Sequence, residues 1–219
     1  MTMPQPPFDP VTPYRYVGGD PAIDFINTAD WTGRGLELDR FASYGRLLEW
    51  TEGAGIMAPG ELDALRSAAA RDEYAAGLVV RDAVELRELL ERTCFRLVRG
   101  KGIREELAAL NQGWLRGATA ELALVERVAD AGGSFTLGWP RAASALQSPL
   151  WIVTWSAALL LASDEAARIR RCAGIDCGWY YVDRSRNGLR RWCEMETCGT
   201  IMKSRRRAER NARADRTGG

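Results

Sequence analysis

The sequence predicts a mainly α-helical protein with a small β-hairpin, in which a large α-helical N-terminal domain precedes a small four-cysteine module that ends in a basic helix. Apolar residues recur at spacings of three and four over most of residues 20–170, as on the buried face of helices. Around residues 121–138 the pattern alternates instead, which predicts a hairpin. Four of the five cysteines then lie between Cys172 and Cys198, ahead of an arginine-rich stretch.

The charge distribution divides the chain near residue 170. The formal net charge is +1, but residues 168–219 carry 14 Arg and Lys against 6 Asp and Glu, whereas residues 1–167 carry 16 against 23. We therefore predict an irregular arm at residues 1–15, a helical domain at 16–169, the cysteine module with its basic helix at 170–213 and a flexible tail at 214–219. The positive second part favours an anionic partner.

Capping signals and apolar stripes predict the elements of the first domain. Asp20 as N-cap and Pro21 at the first helical position predict a short helix to about Thr28. The longest helix is predicted at residues 74–99, where Val79 and Leu86 share one stripe. The remaining predictions are helices at Leu38–Trp50, Pro59–Arg71, Ile103–Gly117, Ser148–Ala162 and Asp164–Arg171, and a hairpin that pairs residues 121–128 with 134–138.

The cysteines form two pairs of identical spacing, Cys172-x4-Cys177 and Cys193-x4-Cys198, separated by fifteen residues. Four thiolates match a tetrahedral structural Zn²⁺ site and leave no open position for catalysis. Two disulfides or four ordinary cysteines are the alternatives, which the symmetric spacing and a reducing compartment oppose. The spacing alone leaves an iron–sulfur cluster open.

Around the cysteines, the sequence predicts a strand at residues 179–182, a turn at Asn187-Gly188, a return strand at residues 189–192 and a helix from Glu194. Together these elements predict a treble-clef-like zinc finger with four cysteine ligands. Trp179, Tyr180 and Trp192 are interpreted as its small core, with base stacking as the alternative.

Residues 170–200 resemble the CGNR zinc finger, a treble-clef-like module that binds DNA. The resemblance lies in the cysteine spacing, the aromatic Trp179, the turn Asp183-x-Ser185-Arg186-Asn187 and the Arg190–Cys193 segment. Where that family has Cys-Gly-Asn-Arg, this chain has Cys198-Gly199-Thr200-Ile201. Upstream, Ala22–Thr28 and the helix leading to Cys172 resemble the ABATE domain of bacterial stress-induced transcription regulators. The resemblance implies a regulator that binds DNA.

Cationic side chains of the module are the candidate DNA contacts. In a helix, Lys203, Arg206 and Arg210 lie on one face at spacings of three and four, where they can contact phosphates. The alternative is a solvated terminus that balances the acidic first domain. The full candidate set is Arg186, Arg190, Arg191, Lys203, Arg205, Arg206, Arg207, Arg210 and Arg213.

A polar cluster in the first domain has two interpretations. Asp24, Asn27 and Thr28 come together on a helix and either satisfy the backbone of a loop or line a small-ligand pocket. Trp31 and Arg34 follow closely and can complete either arrangement. The second interpretation predicts a small-molecule effector, and the helical domain is also a candidate for homodimerisation.

Catalysis finds little support in the residues. The chain has no histidine, so triads that depend on histidine are excluded. Cys94 lies on an apolar stripe and is interpreted as a core residue. Because these residues offer no catalytic site, we expect a protein that is not an enzyme.

The chain also lacks signals for a membrane or for secretion. The longest apolar stretch, Leu150–Ala162, is too short to span a bilayer, and the first residues lack the apolar region of a signal peptide. We therefore expect a cytoplasmic protein.

The sequence is therefore consistent with two functions. The first is a DNA-binding transcription regulator. The second is a protein-interaction or small-ligand-binding module in which the zinc finger is only a structural clip.

Overall fold

The computed structural model describes residues 13–32, 35–126 and 134–217. The α-helices are α1 Pro21–Ile26, α2 Tyr44–Gly53, α3 Pro59–Arg71, α4 Glu73–Leu97, α5 Arg104–Leu110, α6 Arg116–Ala120, α7 Ser148–Ala162 and α8 Thr200–Thr217. The strands are β1 Ala29–Thr32, β2 Gly35–Asp39, β3 Ala123–Glu126, β4 Phe135–Gly138, β5 Ile169–Arg171 and β6 Tyr180–Val182. Within these residues the strands form three two-stranded antiparallel sheets, in which β1 pairs with β2, β3 with β4 and β5 with β6. The predicted fold class, mainly α-helical with a small β-hairpin, is confirmed, and the structure adds two further antiparallel strand pairs to that hairpin.

Helix α1 lies at the centre of the hydrophobic core. The Asp20 carboxylate accepts a hydrogen bond from the N–H of Ala22 at 2.9 Å, and Pro21 occupies the first turn, as predicted. Residues 22–26 are all buried, and α1 packs on α4, α7 and β6. A helix this short is stable only because its neighbours enclose it on every side.

The predicted helix Leu38–Trp50 is wrong in its first half. Gly35–Asp39 is strand β2, paired with β1, and α2 begins only at Tyr44 after the N-cap Ser43. The Asp39 carboxylate accepts from the N–H of Phe41 at 2.9 Å and forms an ion pair with the fully buried Arg87 of α4. These contacts with a distant helix outweigh a local pattern that has helical spacing.

The second correction concerns the segment that enters the finger. Ser163 caps Asp164–Arg168 as predicted, but this segment is a 3₁₀ helix and is followed by strand β5 rather than by more helix. β5 pairs with β6, so the predicted return strand at residues 189–192 is wrong. Within the described residues, that segment has no strand structure, and the carbonyl of Arg190 accepts the Tyr181 hydroxyl proton at 2.6 Å.

Other predictions hold closely. Helices α3 and α7 have the predicted bounds, and α4 starts and ends within two residues of its own predicted bounds, 74–99. The β3–β4 hairpin is confirmed where it is described; residues 127–133 lie outside the described part. Buried Cys94 belongs to the main core, and burial raises the pKa of its thiol.

The predicted domain bounds remain predictions. Residues 1–12 of the predicted arm and residues 218–219 lie outside the described part, and the backbone of α8 continues to Thr217, into the predicted tail. Within residues 13–32, 35–126 and 134–217, no helix combines the length and the apolar character that a membrane span requires.

Candidate metal centre and basic helix

The four cysteines of the two pairs converge on one point. The sulfur atoms of Cys172, Cys177, Cys193 and Cys198 all lie within 4.8 Å of one another. Cys177 Sγ lies 3.8 Å from Cys193 Sγ, which lies 3.6 Å from Cys198 Sγ. All four are free thiols, two of them buried and two half-buried, so the disulfide alternative is wrong.

This sulfur cluster fits a zinc ion. Sulfurs at about 2.3 Å from a tetrahedrally coordinated Zn²⁺ are about 3.8 Å apart, which matches the measured separations. The N–H groups of Gly174 and Cys193 each donate to Cys172 Sγ at 3.3 Å, as expected for a thiolate ligand. The neighbouring thiols of Cys177 and Cys193, together with these donors, lower the pKa of the Cys172 thiol. When bound, one structural zinc ion links the two cysteine pairs.

Local backbone geometry brings each pair together. Between Cys172 and Cys177, Asp176 adopts a left-handed conformation with φ of 58°. Gly174 lies so close to the other pair that a Cβ there would stand 3.1 Å from Cys198 Sγ. Cys198 is in a π-helical turn, Met195–Gly199, which continues directly into α8. The metal centre therefore holds the base of α8.

The finger has a small core of its own. Cys172, Cys193, Tyr181, Trp179 and Trp192 are buried together, which confirms the core interpretation of the two tryptophans. Tyr180, on the other side of β6, belongs to the core of the helical domain.

Strand β6 is bonded to the helical domain along its free edge. The Asn27 side-chain amide donates to the carbonyl of Tyr180 and accepts from its N–H, both at 2.9 Å, as a neighbouring strand would. The Tyr180 hydroxyl donates to Glu91 of α4 at 2.8 Å. Trp179 Nε1 donates to Asp30 of β1 at 2.9 Å. These hydrogen bonds fasten the finger to the helical domain.

Two family models match consecutive parts of the chain. The ABATE model, described as "Putative stress-induced transcription regulator", matches residues 19–167, and the CGNR zinc finger model matches residues 168–211. The chain belongs to the ABATE family. Its C-terminal part is a CGNR zinc finger, so the predicted resemblance is confirmed. No curated protein matches the chain.

The CGNR finger of this chain departs from the family name at the start of α8. Thr200 replaces the asparagine, and its Oγ1 donates to the carbonyl of Met195 at 3.1 Å. Ile201 replaces the arginine and is 63% exposed. The family's turn motif is intact: the buried Asp183 carboxylate accepts from the N–H and hydroxyl of Ser185 and from the N–H of Arg190.

Helix α8 projects from the finger into solvent. Every residue from Lys203 to Asn211 is exposed, as is Arg213. Arg205, on the opposite face from Lys203, is paired with Glu209 at 3.3 Å. The remaining cations of the candidate set on α8 share one face: Lys203, Arg206, Arg207, Arg210 and Arg213.

The three candidate arginines before α8 have different environments. Arg186 and Arg191 are exposed. The Arg190 guanidinium lies over the Tyr181 ring and donates to the carbonyls of Val17 and Trp192 at 3.0 and 2.9 Å. These contacts bind the Arg190 side chain to the backbone of the protein, and its assignment as a DNA contact stays a prediction.

The predicted ligand cluster of the ABATE domain is engaged with backbone groups. Asp24 Oδ1 accepts from the N–H of Gly18 at 2.7 Å, and Thr28 Oγ1 donates to the carbonyl of Phe25 at 2.7 Å. With the Asn27 contacts to β6, these bonds support the interpretation that the cluster satisfies the backbone. Burial raises the pKa of Asp24 to about 6. Trp31 lies on β1, where its side chain is outside the described part, as is the whole of Arg34.

A cleft at the junction was missed by the sequence reasoning. It has a volume of about 490 Å³ and lies between the β1–β2 hairpin and the finger. Asp30, Arg40 and Glu37 line one wall, and Asp176 and Trp179 line the other. No local pattern identifies it, because its walls lie well over a hundred residues apart in sequence.

Proposed function

We propose that this protein is a DNA-binding transcription regulator in which the CGNR finger holds α8 against DNA. The observation that carries the proposal is the solvent-exposed helix α8, which has a cationic face and begins two residues after the metal ligand Cys198. A helix of 18 residues is about 27 Å long, and the major groove, about 12 Å wide, accepts a helix of this kind.

The exposed cations suit contacts with phosphates. Residues three and four apart on α8 present guanidinium groups along one line, and Arg186 and Arg191 add positive charge on the finger itself. A thiolate-bound zinc carries a net charge of −2, which the surrounding arginines more than offset. If about 4–6 phosphates are neutralised, the logarithm of the affinity falls with that of salt concentration with a slope of about −4 to −5.

The ABATE domain would supply ligand sensing or dimerisation. Its close packing on β6 provides a route by which a change in the helices reaches the finger. Neither matched family description names a catalytic activity, and we propose a role that is not enzymatic. Four reduced thiols suit the cytoplasm, which is the compartment we propose.

The experiment compares two charge-reversal pairs in the zinc-loaded full chain. Arg206→Glu with Arg210→Glu reverses two exposed cations on the α8 face, whereas Arg104→Glu with Arg116→Glu reverses two exposed cations of the ABATE domain. DNA fragments selected from a genome are titrated by fluorescence anisotropy at two salt concentrations. We expect the α8 pair to weaken binding about 100-fold or more and the control pair to have a much smaller effect.

Equal losses in the two pairs would mean that net charge, not α8, drives binding. If no fragment binds in a salt-dependent manner, the proposal is wrong.

The second candidate function is the protein-interaction or ligand-binding module in which the finger serves as a structural clip. The bonds from Asn27, Asp30 and Glu91 to the finger favour it, because they give the finger a role within the protein. This candidate predicts no salt-dependent affinity for nucleic acid in the same titration.

A further inference from the structure

The junction cleft has the dimensions of a small-molecule site. Its volume of about 490 Å³ lies within the range of about 300–1,000 Å³ found for ligand pockets. The β1–β2 hairpin contributes one side, and the two cysteine pairs contribute the other through Cys177, Cys193 and Cys198. A molecule bound here would contact the ABATE domain and the finger at once.

The lining is negatively charged. Asp30, Glu37 and Asp176 contribute three carboxylates, and Arg15 and Arg40 contribute two guanidinium groups. Zinc bound by the four thiolates would add a net charge of −2 on the finger side. The cleft therefore attracts cations, although α8 on the same module is strongly basic.

The side chain of Arg15 already places a guanidinium group in the cleft. The Arg15 guanidinium lies 5.9 Å from the centroid of the Trp179 ring and forms an ion pair with Glu194. Arg40 also lies over this ring, at 5.8 Å, but both oxygens of Asp30 hold it and its side chain is only 6% exposed. The Arg15 side chain is 37% exposed, and exposed ion pairs contribute little, so it can be displaced.

We propose that the junction cleft binds a small organic cation with a guanidinium or primary ammonium group. Glu37 and Asp176 supply the attracting charge from opposite walls, and the Trp179 ring supplies a surface for a planar cation. Arg15 occupies part of the cleft and competes with the ligand. This proposal does not depend on DNA binding.

The test uses L-argininamide as the cation and citrate as an anion of similar size. Each is titrated by calorimetry into the zinc-loaded full chain, at concentrations up to about 10 mM, which covers weak millimolar binding. A cadmium-substituted sample gives a second readout, because the ¹¹³Cd NMR shift of the metal centre moves when a ligand binds beside its sulfurs. We expect argininamide to bind and shift the cadmium signal, and citrate to do neither.

Two variants must change the affinity in opposite directions. Glu37→Gln with Asp176→Asn weakens argininamide binding about tenfold, since two attracting charges are lost; asparagine tolerates the left-handed backbone at position 176. Arg15→Gln tightens binding severalfold by removing the competing cation. The control pair, Asp63→Asn with Glu85→Gln, removes two exposed carboxylates away from the cleft and leaves the affinity unchanged.

Several results would overturn the proposal. They are an absence of argininamide binding, tighter binding of citrate, an equal effect of the control pair, or weaker binding in the Arg15 variant. Circular dichroism of each variant confirms that it is folded before titration.

Discussion

Replacement of Asn27 by alanine tests whether the finger and the ABATE domain form one cooperative unit. The Asn27 side chain makes two hydrogen bonds of 2.9 Å to the backbone of Tyr180. Asn27 is 3% exposed and Tyr180 is fully buried, so water cannot replace the lost partners. An unsatisfied buried polar group costs about 1–3 kcal/mol, and Asn27→Ala leaves two of them. We expect the free energy of unfolding to fall by about 2–6 kcal/mol.

The assay is urea unfolding of the zinc-loaded chain, followed by circular dichroism, with hydrogen exchange of the Tyr180 amide as a local readout. Asn27→Ala should lower the urea midpoint and speed exchange of that amide, which Asn27 Oδ1 protects. Asn111→Ala, at an exposed position, is the matched control and should change stability by less than about 0.5 kcal/mol. If both variants unfold at the same midpoint, the bonds between Asn27 and β6 do not stabilise the protein and the reasoning is refuted.

Two further predictions concern a buried carboxyl and the metal centre. Burial raises the pKa of Asp24 to about 6, so the native state binds a proton more readily than the unfolded state and the contribution of Asp24 to stability falls as pH rises from about 4 to 6. In Asp24→Asn the Oδ1 atom can still accept from the N–H of Gly18, but the side chain does not titrate. The free energy of unfolding of this variant should therefore rise by up to about 3 kcal/mol relative to that of the wild type as the pH passes through this interval. Urea unfolding at several pH values measures the difference, and a difference that stays constant with pH would contradict the prediction. Gly174→Ala brings a methyl group to 3.1 Å from Cys198 Sγ and should raise the zinc dissociation constant about 10–100-fold, measured by competition with a chelator. The control is Gly102→Ala, whose methyl group meets no atom within 4 Å and should leave the constant unchanged. Equal dissociation constants for the two variants would exclude the close approach at Gly174.

The metal centre was predictable because its chemistry is local. Each cysteine pair spans four intervening residues, so the spacing itself indicates two ligand turns. The same holds for α1, which Asp20 and Pro21 begin, and for α8, whose composition favours a helix. The exposed cations of α8 follow from that helix and its position at the end of the finger.

The errors arose where a distant partner decides the structure. The residues from Leu38 have helical spacing, yet Asp39 ends a strand because Arg87 of α4 binds its carboxylate. The predicted partner of β6 was the segment that follows the turn, whereas the actual partner, β5, precedes the first cysteine of the finger. The hydrogen bond from Arg190 to the carbonyl of Val17 was likewise not predictable, because the two residues lie far apart along the chain.

The sequence by itself determined the helical class, the division into two parts of opposite charge, the four thiol ligands and the basic terminal helix. These features depend on periodicity, capping and short spacings, which are determined by interactions between residues close in sequence. Only the tertiary structure decided that Asn27 completes the edge of β6, that the Arg190 guanidinium binds the carbonyls of Val17 and Trp192, and that a negatively charged cleft lies between the hairpin and the metal centre. Each of these depends on which distant surfaces meet, and hydrogen bonds and ion pairs across such contacts leave no periodic trace in the sequence.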